Sequence, residues 1–460
     1  MLGIILFGIV LMMLLVGFPV AFTLGGVSTL YGLATFGTQF FEFLPLRIWG
    51  VSTNILLIAV PLFVYMGVML ESSGLAEELL ETMALILGRL RGGLALSVVV
   101  VGAMLAASTG IVGATVVTMG LLSLPTMLKR GYSKPLSTGT IAASGTLGQI
   151  IPPSIVLVLL GSVLNVPVGD LFVGAVIPGL LLVVLYIIWI YLRAWWRPDL
   201  APPMPPEELA DFRGTQMWLR VLRAFVAPFF LILAVLGSIF AGIASPTEAA
   251  AVGAAGATLL TLSQRKLNMQ TLMKVMKETT FLTCMVFVIL VGASAFGLAF
   301  RGLHGDRFLA DLVSHAELGP NAFLFIFLVV IFIAGFFIDF IEITFIHVPI
   351  AAPIFAAMGV DLLWVGILIG INLQTSFLTP PFGFALFYLK GVAPPEVKTT
   401  DIYKGIIPFV IIQLIALGLV ITFPEMVTCL PEYLTRDVPV TELRCWGTDP
   451  VSAWIQGLFN

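Results

Sequence analysis

Four small polar clusters interrupt otherwise apolar stretches, and they are where this chain could do chemistry: Ser108, Thr109 and Gly110; Ser144, Gly145 and Thr146; Asp339 with Glu342; and Asn372, Gln374 and Thr375. An ionisable side chain at membrane depth costs about 2.5–3.5 kcal/mol on insertion scales and marks an ion or solute pathway. Asp339 and Glu342 therefore read as ion-binding or gating groups; the plainer reading is a shallow segment wetted by the interface. The hydroxyls of Ser108, Thr109, Thr146 and Thr375 have their own plain alternative, a bond to the carbonyl four residues back. Their position beside helix breaks favours a binding role. The second and fourth clusters precede paired prolines, Pro152-Pro153 and Pro380-Pro381. Proline removes a backbone donor and breaks the helical ladder. Such a break is stable in hydrocarbon only where protein, ions or solute partner the freed groups. Helix N-termini at a break favour carboxylates, and unwound carbonyls suit Na⁺.

Other chemistries find no support. Gly292-Ala293-Ser294-Ala295 comes close to an intramembrane protease motif, but Phe296 stands where a second glycine is needed. There are no paired aspartate motifs for Mg²⁺–diphosphate and no Walker A sequence for ATP. The expectation is a protein that is not an enzyme, has no cofactor and presents no face to nucleic acid.

The elements that must position these residues are membrane helices. Of 460 residues, 59% are hydrophobic and 10% charged, against roughly 25% charged in soluble domains. The mean hydropathy is +1.11. Apolar stretches of about twenty residues, enough to cross hydrocarbon, recur at 51–70, 172–190, 221–241 and 406–423. Basic residues gather at Arg89 and Arg91, at Lys129, Arg130 and Lys134, from Arg193 to Arg223, and from Arg265 to Lys277. The positive-inside rule makes all four clusters cytoplasmic, and even numbers of apolar segments separate them where the chain must return. A Pro-rich, charged linker near midway divides the chain into halves, and 71–91 reads as an interfacial amphipathic helix or a plain connecting one.

The halves match at one offset. Pro125, Gly131, Ile141, Pro152, Pro153 and Pro167 correspond to Pro353, Gly359, Ile369, Pro380, Pro381 and Pro395. Lys129, Arg130 and Lys134 flank the first copy, whereas the second has no basic residue there. One unit thus faces the cytoplasm once and the outside once, an inverted repeat of the kind found in alternating-access carriers. Each copy reads as a re-entrant hairpin, with its turn near 106–110 or 337–342, followed by a helix interrupted at 144–148 or 372–376. The fold class is an all-α polytopic membrane protein with inverted repeats, two re-entrant hairpins and two broken helices. The divisions are 1–92 (N-terminal scaffold and interfacial helix), 93–196 (first repeat), 197–220 (cytoplasmic linker), 221–320 (second scaffold part), 321–424 (second repeat) and 425–460 (periplasmic tail).

Several segments carry a family resemblance: Gly17-Phe18-Pro19-Val20-Ala21-Phe22, Lys129-Arg130-Gly131-Tyr132, Gly145-Thr146-Leu147-Gly148 with Ile151-Pro152-Pro153-Ser154-Ile155, Pro246-Thr247-Glu248-Ala249-Ala250-Ala251, and Leu378-Thr379-Pro380-Pro381-Phe382-Gly383. Together they resemble the large membrane (permease) subunit of tripartite ATP-independent periplasmic (TRAP) transporters, DctM-like, over roughly 1–423. The resemblance implies an elevator-type symporter in the bacterial inner membrane, importing a small organic acid with Na⁺ as coupling ion. It implies a periplasmic substrate-binding protein and a small four-helix membrane subunit as partners. It also places substrate and Na⁺ at the hairpin tips and unwound helices, hence at Ser108, Thr109, Gly110, Ser144, Gly145, Thr146, Asp339, Asn372, Gln374 and Thr375. Two departures stand out: the Ala107-Ser108-Thr109-Gly110 tip is less serine-rich than the family's, and Asp339 is followed by Phe340, with an additional Glu342. A stand-alone anion carrier of related fold and, more remotely, a channel are the alternatives. Cys429 and Cys445 fall in a tail assigned outside, where disulfides persist, and are expected to pair.

Overall fold

The computed structural model describes residues 2–110, 112–205, 207, 221–381 and 383–435. Most of the 197–220 linker and the tail beyond 435, with Cys445, lie outside the described residues. Cys429 is disulfide-bonded.

Every regular element described is helical, as lipid demands of a chain whose backbone groups must be satisfied within each segment. The first half contains α1 (Leu2–Val16), α2 (Val20–Phe36), α3 (Phe40–Ser52), α4 (Ala59–Ser72), α5 (Leu75–Leu87), α6 (Gly93–Thr109), α7 (Val112–Lys129), α8 (Lys134–Thr146), α9 (Ile155–Leu164) and α10 (Val168–Trp196). The second contains α11 (Ala227–Phe240), α12 (Pro246–Ser263), α13 (Met269–Gly302), α14 (Gly305–His315), α15 (Pro320–Ala334), α16 (Phe340–Ile346), α17 (Val348–Ala357), α18 (Leu362–Leu378), α19 (Phe384–Val392), α20 (Thr399–Thr422) and α21 (Glu425–Thr435). Among the described residues six helices are long and apolar enough to cross a membrane, seven if α16 and α17, bent by 49°, count as one span. The chain is a multi-pass membrane protein.

Helix starts have local causes. Ser133, Ser154, Ser245, Asn268 and Asp361 each accept a backbone N–H from the first turn that follows, satisfying donors that a helix N-terminus leaves over. The helices pack in two groups. One is α2, α3, α4, α12 and α13; the other combines α6 to α10 with α15 to α20.

The repeat is visible element by element. At the proline offset, α7 overlies α16 with α17, α8 overlies α18, α9 overlies α19 and α10 overlies α20. Gly131 and Gly359 both turn at positive φ, 78° and 73°, and both Pro-Pro peptide bonds are cis. The copies also interlock: α8 crosses α20 where Gly139 and Gly405 bring the backbones together, with no room for a Cβ on either, the small-residue contact by which membrane helices approach closely.

The opposed orientation can be read along α10. Near its C-terminal end, Ala194 and Ile190 abut Gly92. There Ser133 donates its N–H to the Leu200 carbonyl (3.0 Å) and Gly131 lies beside Pro202. Near its N-terminal end, Gly174 abuts Leu363, just past the Gly359 turn. Twenty residues of helix separate Gly174 from Ala194, about 30 Å at 1.5 Å per residue, the thickness of the hydrocarbon core. The matching turns of the two copies thus sit at opposite ends. The basic clusters share one end: Met204 N–H reaches the Gly88 carbonyl (2.8 Å), Lys134 Nζ donates to the Glu396 carbonyl (2.7 Å), and Lys266 lies against Gly74.

Three boundaries differ from the sequence reading. The second broken helix stays regular through 372–376 and opens at Thr379–Pro381, because Thr375 and Ser376 satisfy their hydroxyls on the carbonyls of Ile371 and Leu373; only the prolines lack donors. The first likewise continues through Thr146 and a short turn at Leu147–Gln149 before opening. The amphipathic segment is shorter than 71–91: Gly74, at φ 70°, ends the previous turn, leaving Glu71 in α4.

Candidate functional site

Each hairpin tip is seated on its own broken helix. In the first, Gly110 at φ 60° returns its N–H to the Ala106 carbonyl, and the tip rests on Ile155, the first residue after the break. Gly148 lies against Ala106. In the second, the equivalent contact swaps its glycine: Gly335 lies on the hairpin and meets Ser376 on the helix. Ser154 bridges the first break, donating to the Gln149 carbonyl (2.7 Å) and capping α9 through Leu157 N–H.

The second tip ends in a capping box. The Asp339 carboxylate accepts from Phe340 N–H at 2.8 Å, and Glu342 Oε2 accepts from Asp339 N–H at 3.0 Å. Glu342 is 8% exposed. Phe340, Phe377 and Phe384 then form a run of edge-to-face rings from the tip to the start of α19.

A cavity of about 430 Å³ lies between the tips. The first turn of α7 (Val112, Gly113, Ala114) and Asp339 through Ile341 face it from the two hairpins, and Ile155 and Phe377 from the broken helices. Val64 and Glu71 of α4 and Lys274 and Glu278 of α13 close the opposite wall. Lys274 Nζ and Glu278 Oε1 are 3.9 Å apart and exposed, so they form a loose pair. Glu71 also accepts a hydrogen bond from the Thr118 hydroxyl, tying α4 to the first hairpin.

Of the residues singled out from sequence, Asp339 lines this cavity. Gly110 stands at the tip beside it, and the Ser108 and Thr109 side chains lie outside the described residues. Ser144, Thr146 and Thr375 are buried and donate within their own helices, to Thr140, Ala143 and Ile371. Gly145 sits against Val116, and Asn372 Nδ2 donates to the Leu328 carbonyl at 2.8 Å, tying α18 to α15. Gln374 is fully buried beside Tyr186. These residues form a layer behind the cavity rather than its wall. Tyr388, which sequence reasoning missed, lies between the hairpins: its ring meets Gly113 and it is near enough to Asp339 to feel its charge. An aromatic in an apolar helix gives no signal of its own. Among the described residues no three His, Cys, Asp or Glu side chains come together as a metal cluster.

Comparison with known proteins points one way. The family described as the tripartite ATP-independent periplasmic transporter, DctM component, matches residues 7–426. The C4-dicarboxylate TRAP transporter large permease protein DctM of Pseudomonas aeruginosa is 31% identical over 410 residues, covering 89% of this chain and 94% of that one. The ectoine TRAP transporter large permease protein TeaC of Halomonas elongata is 30% identical, covering 92% and 97%. The crystal structure of the Alcanivorax borkumensis YdaH transporter superposes with a TM-score of 0.62 over 90% of this chain and 99% of that one, at 14% identity, a likeness of fold alone.

Proposed function

Given that the chain belongs to the DctM family of TRAP transporter large permeases, and so is a transporter subunit and not an enzyme, we propose that it imports a small carboxylate coupled to Na⁺. The observation that carries this reading is the cavity bounded by both hairpin tips and both broken helices, with one hairpin-tip carboxylate, Asp339, on its wall. Na⁺ is a hard cation served by oxygen ligands. Asp339 offers a carboxylate, and the breaks at 150–154 and 379–381 offer carbonyls freed from the helical ladder. Neutralising Asp339 with Na⁺ lowers the cost of bringing an anionic solute beside it, which is the physical basis for coupling. The N-terminus of α9 at Ile155 provides positive dipole toward the solute carboxylate.

In this reading the hairpins and broken helices move as one elevator body against α2, α3, α4, α12 and α13, opening the cavity first to one side and then to the other. The solute is delivered by a periplasmic binding protein, and a small four-helix membrane subunit joins the scaffold in the inner membrane. The relatives named for C4-dicarboxylates and for ectoine support a carboxylate-bearing solute. The test is uptake into proteoliposomes holding the chain with both partners, screening organic acids with and without a Na⁺ gradient. Concentrative uptake that vanishes without Na⁺ is expected; uptake indifferent to Na⁺ would overturn the coupling.

A further inference from the structure

A second cavity, of about 340 Å³, lies on the far side of the second hairpin. Its walls are the α3–α4 junction (Arg47, Asn54, Leu57), the end of α13 (Phe296, Phe300, Arg301), Asp306 of α14, Ser162 of α9, and Phe345, Ile346, Pro349 and Ile350 of the second hairpin. The end of the molecule it occupies follows from α13. That helix starts beside Lys266, at the basic end, and its 34 residues carry Arg301 about 50 Å away. The positive-inside rule makes this the outer end.

Basic residues are disfavoured there. Of the 22 Lys and Arg in the chain, only Arg47, Arg301 and Arg307 fall at this end of the described helices, and two of them face one cavity. Arg301 spends its Nε–H on the Gly297 carbonyl (3.1 Å), leaving its terminal nitrogens uncommitted. Among the described residues neither Arg47 nor Arg301 has an ion pair within 4.0 Å. Both are exposed, and Arg47 and Asp306 are the charged groups whose fields reach Arg301. Two arginines against one aspartate leave the vestibule with a formal charge of +1. The cavity between the tips has the opposite bias, Glu71, Glu278 and Asp339 against Lys274, a formal charge of −2.

We propose that Arg47 and Arg301 together form an anion-capture site in the outer vestibule, which takes the carboxylate of an arriving small organic acid before the second hairpin moves. Two guanidinium groups on the wall of one partly apolar cavity suit a carboxylate, which each can bind through paired N–H donors. The volume suffices for a small solute. Asn54 and Ser162, joined at 3.2 Å, continue the polar wall inward. The assignment rests on the proposed carboxylate import for its purpose, yet it can be tested without transport.

The assembled complex is reconstituted in phosphatidylcholine nanodiscs and treated with p-hydroxyphenylglyoxal, with adducts at Arg47, Arg301 and Arg197 quantified by mass spectrometry. Succinate and pyruvate are each compared with chloride at equal ionic strength. At least one carboxylate should slow modification of Arg47 and Arg301 several-fold and leave Arg197, at the basic end, unaffected. Equal rates in carboxylate and chloride, or no modification of either vestibule arginine in the complex, would overturn the proposal. So would protection that appears only when anionic lipid replaces phosphatidylcholine, since the occupant would then be a lipid phosphate. In uptake assays Arg47→Gln and Arg301→Gln should raise KM several-fold at unchanged maximal rate, with Arg47→Lys, which keeps the charge and not the fork, restoring only part of the loss. An unchanged KM rejects the site while leaving Na⁺-coupled import standing. Wild-type protein that takes up no carboxylate rejects the import reading, while the labelling result still decides the site.

Discussion

The first hairpin, α6 with α7, has no ionisable residue until Lys129 and turns on the left-handed Gly110. The second, α15 with α16 and α17, is of similar length and seats its tip on its broken helix in the same manner, yet carries Asp339, Glu342 and His347. Duplication has kept the frame while the charge has collected in one copy. In an interior where an isolated charge costs several kcal/mol, that asymmetry separates two jobs. The uncharged tip offers backbone and hydroxyl groups, and the charged one offers the group whose electrostatics must change when a cation arrives.

The sharpest way to break this division is Asp339→Asn. The amide is nearly isosteric and can still accept the Phe340 N–H, so the fold should persist. Na⁺-driven uptake should fall about tenfold or more, equivalent to roughly 1.4 kcal/mol or more of lost coupling, with expression and melting temperature unchanged. Uptake at the wild-type level would move the charged role away from this hairpin.

A second test uses the exchanged glycine. Gly335→Ala would drive its new methyl into Ser376, whereas the first copy solves the same contact with Gly148 on the helix side. The single variant should lose several-fold in uptake, and adding Ser376→Gly should recover most of it. Failure of the second change to help would mean that the two seats are not equivalent.

Much of this was legible in sequence because proline and glycine encode backbone directly. The offset relating Pro152, Pro153 and Gly131 to Pro380, Pro381 and Gly359 carried over to helix ends and turns. The break in α18 was misplaced by several residues because a polar run beside prolines looks like unwound chain, whereas Thr375 and Ser376 satisfy themselves inside the ladder. The cavity wall was the least legible part. Tyr388, Glu71 and Lys274 come from three helices distant in sequence, and only packing brings them opposite Asp339. The vestibule arginines were invisible for the same reason, since only the α3–α13 contact brings Arg47 and Arg301 to one cavity.

A finer comparison sets two capping boxes side by side. Ser245-Pro246-Thr247-Glu248 opens α12 on the surface, and Asp339-Phe340-Ile341-Glu342 opens α16 in the interior. Glutamine serves at the third position of such a box nearly as well as glutamate, so Glu342→Gln and Glu248→Gln each keep the cap and remove a charge. The buried change should alter Na⁺-driven uptake about two- to threefold, on the scale of a few tenths of a kcal/mol upward. The exposed change should leave uptake alone.

The exposed box also predicts a small pH effect that the uptake assay will not register. Hydrogen bonds from the Ser245 N–H and hydroxyl hold the Glu248 carboxylate below its usual range. A depressed value in the folded state means that the cap contributes above the unfolded value and is lost as pH falls through the folded one. Ser245→Ala should therefore lower thermal stability at pH 7, by about 1 kcal/mol for a typical cap, and the gap between variant and wild type should narrow toward pH 4. A gap that stays constant over that range would mean the Ser245 hydroxyl acts alone and Glu248 is a bystander. The glutamate that both boxes share would then owe its weight in the second hairpin to burial and not to the motif.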